Sequence, residues 1–140
     1  MKVEIKQIDG IALAGKGDTG HWVTMDGPAE FKGYSAATRP MELFLMGLGG
    51  CTSMDVISIL QKKRVKLDHY ECHLEAERAA QHPHVFKWIK IKFIFYGKDI
   101  PREACARAIE LSEEIYCSAS AMLKKSVDIT TEYEIRESRE

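Results

Sequence analysis

The stretch from Leu43 to Leu60 constrains the fold more than any other part of the chain. Asp55 is its only charged side chain, and apolar or small residues occur on every side of the helical wheel. Pro40 lies just before it and suits the first turn of a helix, where a missing N–H costs nothing. The pattern therefore predicts a helix that starts at Pro40 and is buried on all sides. A transmembrane span is the competing interpretation; glycines, hydroxyl side chains and Asp55 dilute the hydrophobicity, which favours the buried helix.

A single chain of 140 residues and 15.9 kDa is large enough for one domain with a genuine core. We therefore expect residues 1–140 to form a single domain. Its other predicted elements are short and mostly amphipathic, so they cannot wrap the central helix completely. The sequence predicts that a second copy completes the wrapping, as a two-fold homodimer.

The remaining elements predict an α+β fold with antiparallel sheets around the long central helix. Residues 1 to about 34 read as a meander of short strands, and two long alternating strands after the helix form a hairpin. The second of these strands has one apolar face, formed by Ile89, Ile91, Phe93 and Phe95. Pro101 then opens an amphipathic helix whose predicted inner stripe is Cys105, Ala108, Ile109, Ser112 and Ile115. Residues 116–121 break that pattern, a short helix runs through Leu123, and residues 127–135 alternate as a last strand.

Charge and motifs exclude several classes of function. With 20 Lys+Arg against 21 Asp+Glu, the net charge is −1, so no positive field is available for sequence-independent binding of nucleic acid. The N-terminus alternates charged and apolar residues and does not read as a signal peptide. Together with four cysteines in no close-spaced framework, this predicts a cytoplasmic protein. The histidine pairs His82/His84 and His69/His73 have no cysteine pair beside them, and we predict no metal site.

Two cysteines occupy special positions. Cys51 follows Gly49 and Gly50 within the central helix, where each glycine costs about 1 kcal/mol relative to alanine. Either a substrate or partner element approaches the backbone beside the thiol, or tight packing needs the glycines and Cys51 is a small buried hydrophobe. Cys117 ends one predicted helix and precedes the next, where free backbone N–H groups favour a thiolate; a packed junction cysteine is the alternative.

The other two cysteines have plainer surroundings. Cys72 lies on the apolar face of a predicted strand, and Cys105 lies on the inner stripe of the second helix. We expect both to be core residues.

Each of the two special cysteines lies in a distinctive segment: Arg39-Pro-Met-Glu-Leu-Phe-Leu-Met-Gly-Leu-Gly-Gly-Cys51-Thr-Ser-Met-Asp and Tyr116-Cys117-Ser-Ala-Ser-Ala-Met-Leu. These segments resemble the two cysteine motifs of the osmotically inducible protein C (OsmC) and organic hydroperoxide resistance family. The resemblance extends to the order of elements along nearly the whole chain. It implies an intertwined homodimer with sites at its interface and a role in stress response. It also implies that Cys51 is the peroxidatic thiolate that attacks a hydroperoxide, and that Cys117 resolves the sulfenic acid as a disulfide. An external dithiol would then reduce the pair, without a metal or other cofactor.

The chain departs from the family pattern where the thiolate is activated. The peroxidases of the family carry a Glu directly after the motif proline, paired with an Arg from the N-terminal strands; here Met41 follows Pro40, and the first 38 residues contain no Arg. Lys16, Arg39 and Glu42 are the candidate charge partners that remain. The leading hypothesis is thus a thiol-dependent hydroperoxide reductase of a divergent branch. The alternative is a non-catalytic dimer that binds a small hydrophobic or electrophilic ligand near Cys51.

Overall fold

The computed structural model describes residues 1–137. The chain divides into two compact units, of which the first is Met1–Met46 and the second, Gly47–Glu140, is described as far as residue 137. The first unit contains β1 (Val3–Asp9), β2 (Ala12–Gly17) and β3 (Trp22–Met25), which form an antiparallel sheet in the order β1-β2-β3. This confirms the predicted N-terminal meander.

A buried carboxylate organises the loop after β3. Asp26 is 2% exposed and accepts hydrogen bonds from the backbone N–H groups of Gly27, Tyr34 and Ala36, at 2.7, 2.9 and 3.1 Å. These bonds, of which that from Ala36 has the largest effect, lower the pKa of Asp26 against the opposing effect of burial. They close the loop tightly enough that a Cβ on Gly33 would lie 2.1 Å from the Gly27 carbonyl oxygen.

The long helix α1 spans Pro40–Lys62 and starts at the predicted proline. The backbone N–H of Arg39 donates to a Glu42 carboxylate oxygen at 2.9 Å. This is the reach-back half of a capping box, which satisfies an otherwise free donor at the start of the helix. Glu42 therefore has a structural role in starting α1.

In the second unit, β4 (His69–Arg78), β5 (Phe86–Tyr96) and β6 (Asp128–Arg136) form a sheet in that order. The hairpin β4–β5 is antiparallel as predicted. The prediction of purely antiparallel sheets is corrected at β6, which runs parallel to β5. The helical connection between the two strands carries the chain back across the sheet, so β6 enters in the direction of β5. The predicted apolar face of β5 is completely buried, with 0% exposure at Ile89, Ile91, Phe93 and Phe95.

The connection contains α2 (Arg102–Leu111), a π-helical turn (Ser112–Tyr116) and α3 (Ser118–Leu123). The inner stripe of α2 is correct at Cys105, Ala108, Ile109 and Ser112, which are all buried. It is wrong at Ile115, which is 63% exposed. The π turn, closed by a bond of 2.8 Å from the Cys117 N–H to the Ser112 carbonyl, changes the helical period and rotates Ile115 away from the core.

A single chain covers only one stripe of α1. Leu48, Thr52, Val56 and Leu60, four residues apart, are at most 1% exposed, whereas Met54 is 74% exposed. The expectation of burial on all sides is therefore not met within one chain, because its elements are too few to surround the helix. By length and composition α1 could also cross a membrane, with a mean hydropathy of 1.7, a test that the core helix of a soluble protein passes as well.

Candidate functional site

Cys51 and Cys117 lie close together although 117 − 51 = 66 positions separate them. Their sulfur atoms and a carboxylate oxygen of Asp55 all lie within 4.8 Å of one another. Cys51 is half-buried and Cys117 is 2% exposed. We call Cys51, Asp55 and Cys117 the thiol cluster.

Two local features of the chain bring these groups together. Cys51 and Asp55 are four residues apart on α1 and hence lie on one side of the helix. Cys117 follows the π turn and is the N-cap of α3, where its sulfur accepts a hydrogen bond from the Ser120 N–H at 3.4 Å. The predicted position of Cys117, between the end of one helix and the start of the next, is thus confirmed.

The thiol of Cys117 is nevertheless held in its neutral form. Burial is the largest effect and raises its pKa, and the hydrogen bond from the Ser120 N–H only partly opposes this. The neighbouring Cys51 thiol raises the pKa of Cys117 further. The raised pKa differs from the expectation that free N–H groups favour a thiolate at Cys117, because burial of the sulfur raises the pKa by more than these groups lower it.

Asp55 is the residue of the cluster that sequence reasoning missed. Its carboxylate accepts a hydrogen bond of 3.2 Å from the Ser112 hydroxyl, which is completely buried. The available signal was its position, since it is the lone charge of an apolar helix and lies one turn after Cys51.

A groove of about 320 Å³ adjoins the cluster at Asp55. Its apolar lining includes Ile59, Leu111 and Tyr116, and Lys62 and Lys63 lie along it as well. The groove gives small molecules a route to the carboxylate beside the two thiols.

The glycines that precede Cys51 have different surroundings. A Cβ on Gly49 would lie 2.6 Å from a methyl carbon of Leu74 in β4, so this glycine allows the Leu74 side chain to pack closely against α1. A Cβ on Gly47 or Gly50 would meet nothing within 4 Å in the single chain. The packing interpretation accounts for Gly49 only.

The remaining cysteines are separate from the cluster. Cys105 is 0% exposed, and burial raises the pKa of its thiol to about 11, which confirms it as a core residue. Cys72 is only half-buried; burial raises the pKa of its thiol, while hydrogen bonds with Ser53 and Tyr70 oppose the shift.

The candidate charge partners all lie in the Met1–Met46 unit. The ammonium of Lys16 lies 3.5 Å from a Glu4 carboxylate oxygen and 4.8 Å from the centroid of the Trp22 ring. Arg39 and Glu42 meet through the helix-starting hydrogen bond of α1.

Comparison with known proteins identifies the family. The model of the OsmC-like protein family matches residues 32–132. Protein YhfA of Escherichia coli (strain K12) is 42% identical over 135 residues, which are 96% of this chain and 98% of that protein. The crystal structure of a hypothetical protein from Aquifex aeolicus VF5 is 32% identical with a TM-score of 0.85, covering 99% of this chain and 97% of that one.

A more distant structure shares the fold. The organic hydroperoxide resistance protein OhrB of Bacillus subtilis is 21% identical with a TM-score of 0.62, over 95% of this chain and 96% of that one. These matches confirm the resemblance carried by the two cysteine segments, and the chain belongs to the OsmC-like protein family.

Proposed function

We propose that the protein is a thiol-dependent hydroperoxide reductase in which Cys51 and Cys117 form the redox pair. The observation that carries the proposal is the approach of the two sulfur atoms to within 4.8 Å. A small side-chain movement brings such a pair to the 2.0 Å of a disulfide bond. The similarity of the fold to organic hydroperoxide resistance proteins supports hydroperoxides as the substrate class.

The proposed reaction consumes one hydroperoxide per turnover. The Cys51 thiolate attacks the terminal oxygen of the O–O bond, which breaks; the sulfur is oxidised to a sulfenic acid, and the alkoxide takes a proton and leaves as an alcohol. The Cys117 thiol then attacks the oxidised sulfur, forming the S–S bond and expelling the sulfenic oxygen as water with the thiol proton. An external dithiol reduces the disulfide by exchange and becomes a disulfide itself.

The surroundings of the two cysteines suit different roles. A raised pKa keeps Cys117 as a neutral thiol, which suits the group that waits for the sulfenic acid. Cys51 is more accessible than Cys117, which suits the group that meets the substrate. The groove beside Asp55 supplies a partly apolar approach, as an alkyl hydroperoxide requires.

Activation of the Cys51 thiolate is expected to be weak in this branch. Lys16, Arg39 and Glu42 remain the proposed charge partners, and none of them matches the family's Glu and Arg pair. Glu42 is already engaged at the start of α1, and Lys16 contacts Glu4. We therefore expect slower reaction with hydroperoxides than in enzymes that carry the pair.

The working form that we propose is a cytoplasmic homodimer of single-domain chains. The uncovered side of α1 supports this, because an apolar face of that kind exposes Met54 to water in the isolated chain. Its proposed partners are a small-molecule hydroperoxide and an external dithiol. We do not propose that it binds nucleic acid or a membrane.

Peroxide consumption by the purified protein with a dithiol reductant tests the proposal, with an alkyl hydroperoxide and hydrogen peroxide compared. Cys51→Ser is expected to abolish turnover, and Cys117→Ser to leave a sulfenic acid on Cys51 that dimedone traps. Cys72→Ser is the matched control, since serine can keep the hydrogen bonds with Ser53 and Tyr70, and it is expected to retain full activity. Recovery of both cysteines as free thiols after stoichiometric peroxide, or a disulfide through Cys72 or Cys105, would contradict the mechanism.

A second candidate is a non-catalytic dimer that binds a small hydrophobic or electrophilic ligand. The groove favours it, because its partly apolar lining includes Asp55, whose carboxylate lies within 4.8 Å of both sulfur atoms. The two candidates differ in turnover. If neither hydroperoxide is consumed while an electrophile modifies Cys51 stoichiometrically, the binding function is the correct one.

A further inference from the structure

We propose that the reduced thiol cluster is a binding site for one zinc ion per chain. Cys51, Asp55 and Cys117 supply two sulfur ligands and one oxygen ligand from two separate parts of the unit Gly47–Glu140. Among residues 1–137, this is the one group of three or more histidine, cysteine or acidic side chains whose donor atoms lie close enough together to hold a metal ion.

The geometry is close to that of a tetrahedral site. Zinc bonds of about 2.0–2.3 Å to oxygen and sulfur put neighbouring ligand atoms about 3.5–3.8 Å apart. The three donor atoms already lie within 4.8 Å of one another. A contraction of about 1 Å, within the range of a side-chain rotation, therefore completes three of the four ligand positions.

The chemistry of the donor set selects the ion. Thiolate ligands disfavour hard cations such as Mg²⁺ and Ca²⁺, whereas a carboxylate beside two thiolates suits Zn²⁺. Zinc displaces the two thiol protons to solvent as it binds, and the resulting two thiolates and one carboxylate bring three negative charges to the dication. Water can occupy the fourth position, because Asp55 lines the open groove.

Neighbouring groups already hold the ligands in place. The buried Ser112 hydroxyl donates to the Asp55 carboxylate at 3.2 Å. The Ser120 N–H donates to the Cys117 sulfur at 3.4 Å. Hydrogen bonds of this kind orient metal ligands, and their loss typically costs 10–100-fold in affinity.

A zinc ion held here would shield both sulfur atoms. The binding itself requires only the reduced cluster and no hydroperoxide, so it stands or falls independently of the proposed reductase activity. Its functional consequence, protection of the thiols from reaction while zinc is bound, follows because a coordinated thiolate is less available as a nucleophile.

The test is zinc binding by the reduced full-length protein, freed of metal and measured in competition with a chromophoric chelator. We expect one Zn²⁺ per chain. Co²⁺ is the spectroscopic probe and is expected to give thiolate-to-metal charge-transfer absorption, while Mg²⁺ is expected not to compete. Bound Zn²⁺ is also expected to slow alkylation of Cys51 by iodoacetamide.

Variants assign the ligands. Cys51→Ser and Cys117→Ser are each expected to weaken zinc binding by more than about 100-fold, because loss of a ligand exceeds the effect of an outer hydrogen bond. Asp55→Asn keeps an oxygen for the Ser112 hydroxyl, so the fold is retained, and we expect a loss of at least tenfold. Cys72→Ser is the control that leaves affinity unchanged.

The proposal is overturned if the reduced protein binds zinc no more tightly than Cys51→Ser does. It is equally overturned if Cys72→Ser weakens binding as much as the cluster variants, or if cobalt gives no charge-transfer absorption. Ser112→Ala adds a separate check, since a loss of about tenfold is expected only if Asp55 is a ligand that this hydroxyl orients.

Discussion

Substitution of Gly50 by alanine distinguishes a water-exposed α1 from one that packs against a second chain. Gly47, Gly50 and Met54 share the side of α1 opposite the buried stripe, by their spacing of three and four residues. In the single chain a Cβ on Gly50 meets nothing within 4 Å. In the proposed homodimer a second copy supplies a neighbour there, so the effect of the added methyl group reports on that copy.

The two possibilities predict effects of opposite sign. If this side of α1 faces water, Gly50→Ala raises the free energy of unfolding by about 0.8–1 kcal/mol, the helix-propensity difference. If a partner helix packs closely against Gly50, the extra methyl groups cost about 1–3 kcal/mol per dimer. The dimer dissociation constant then rises by about 5- to 150-fold. We expect the second result.

Gly49→Ala is the matched control, because Gly49 lies on the covered side. Its Cβ would approach a Leu74 methyl carbon to 2.6 Å. Overpacking of about 1–3 kcal/mol, offset by about 1 kcal/mol of helix propensity, gives a net loss of about 0–2 kcal/mol in the free energy of unfolding. This loss arises within one chain, so the dimer dissociation constant is expected to stay unchanged.

Sedimentation equilibrium measures association, and thermal unfolding at fixed protein concentration measures stability. An unchanged sedimentation profile with a raised melting temperature for Gly50→Ala would refute close helix packing at this face. A compact wild-type monomer of 15.9 kDa at micromolar concentration would refute the dimer itself.

Three further predictions concern charge and pH. Asp26→Asn is expected to destabilise the protein at pH 7. Because the pKa of Asp26 in the folded protein is lowered from 3.8, the contribution of this carboxylate to the free energy of unfolding is present above pH 3.8 and is lost as the pH falls below it. The stabilities of wild type and variant should therefore converge in acid titrations. For Cys105 the pKa is raised from 9.0 to about 11, so its contribution to the free energy of unfolding is complete below pH 9 and is lost as the pH rises to 11. Cys105→Ala should therefore reduce the loss of stability at alkaline pH, as measured by urea unfolding. Met41→Glu combined with Lys16→Arg is expected to accelerate alkyl-hydroperoxide reduction more than either change alone, because a guanidinium held by a carboxylate favours the thiolate; equal rates in all four proteins would show that charge activation is not limiting.

The elements that local pattern determines were predictable from sequence. Pro40 marks the start of α1, and the alternation of Ile89, Ile91, Phe93 and Phe95 gives the buried face of β5. Each of these signals is contained in a few neighbouring residues, so no knowledge of the tertiary structure is needed to read it.

The features that depend on tertiary placement were not predictable. The direction of β6 follows from how the connection crosses the sheet, and no residue of β6 encodes it. Ile115 fits the period of α2 and is nevertheless exposed, because the π turn inserts an extra residue into the helical repeat. That same turn directs Cys117 into the core, so the error at Ile115 and the approach of Cys117 to Cys51 have one cause.

The position of Asp55 links the fold to the chemistry. In the sequence this residue argued against a membrane span, because a charge within an apolar helix is costly to bury. In the structure its cost is offset by a hydrogen bond from the buried hydroxyl of Ser112, which lies beyond the end of α2. Asp55 is half-buried, its carboxylate lies beside two thiols, and it lines an open groove, so packing alone does not account for a charge at this position. The arrangement is better explained by what the carboxylate does at the two sulfur atoms, and Asp55→Asn, which preserves shape and removes charge, separates that role from packing.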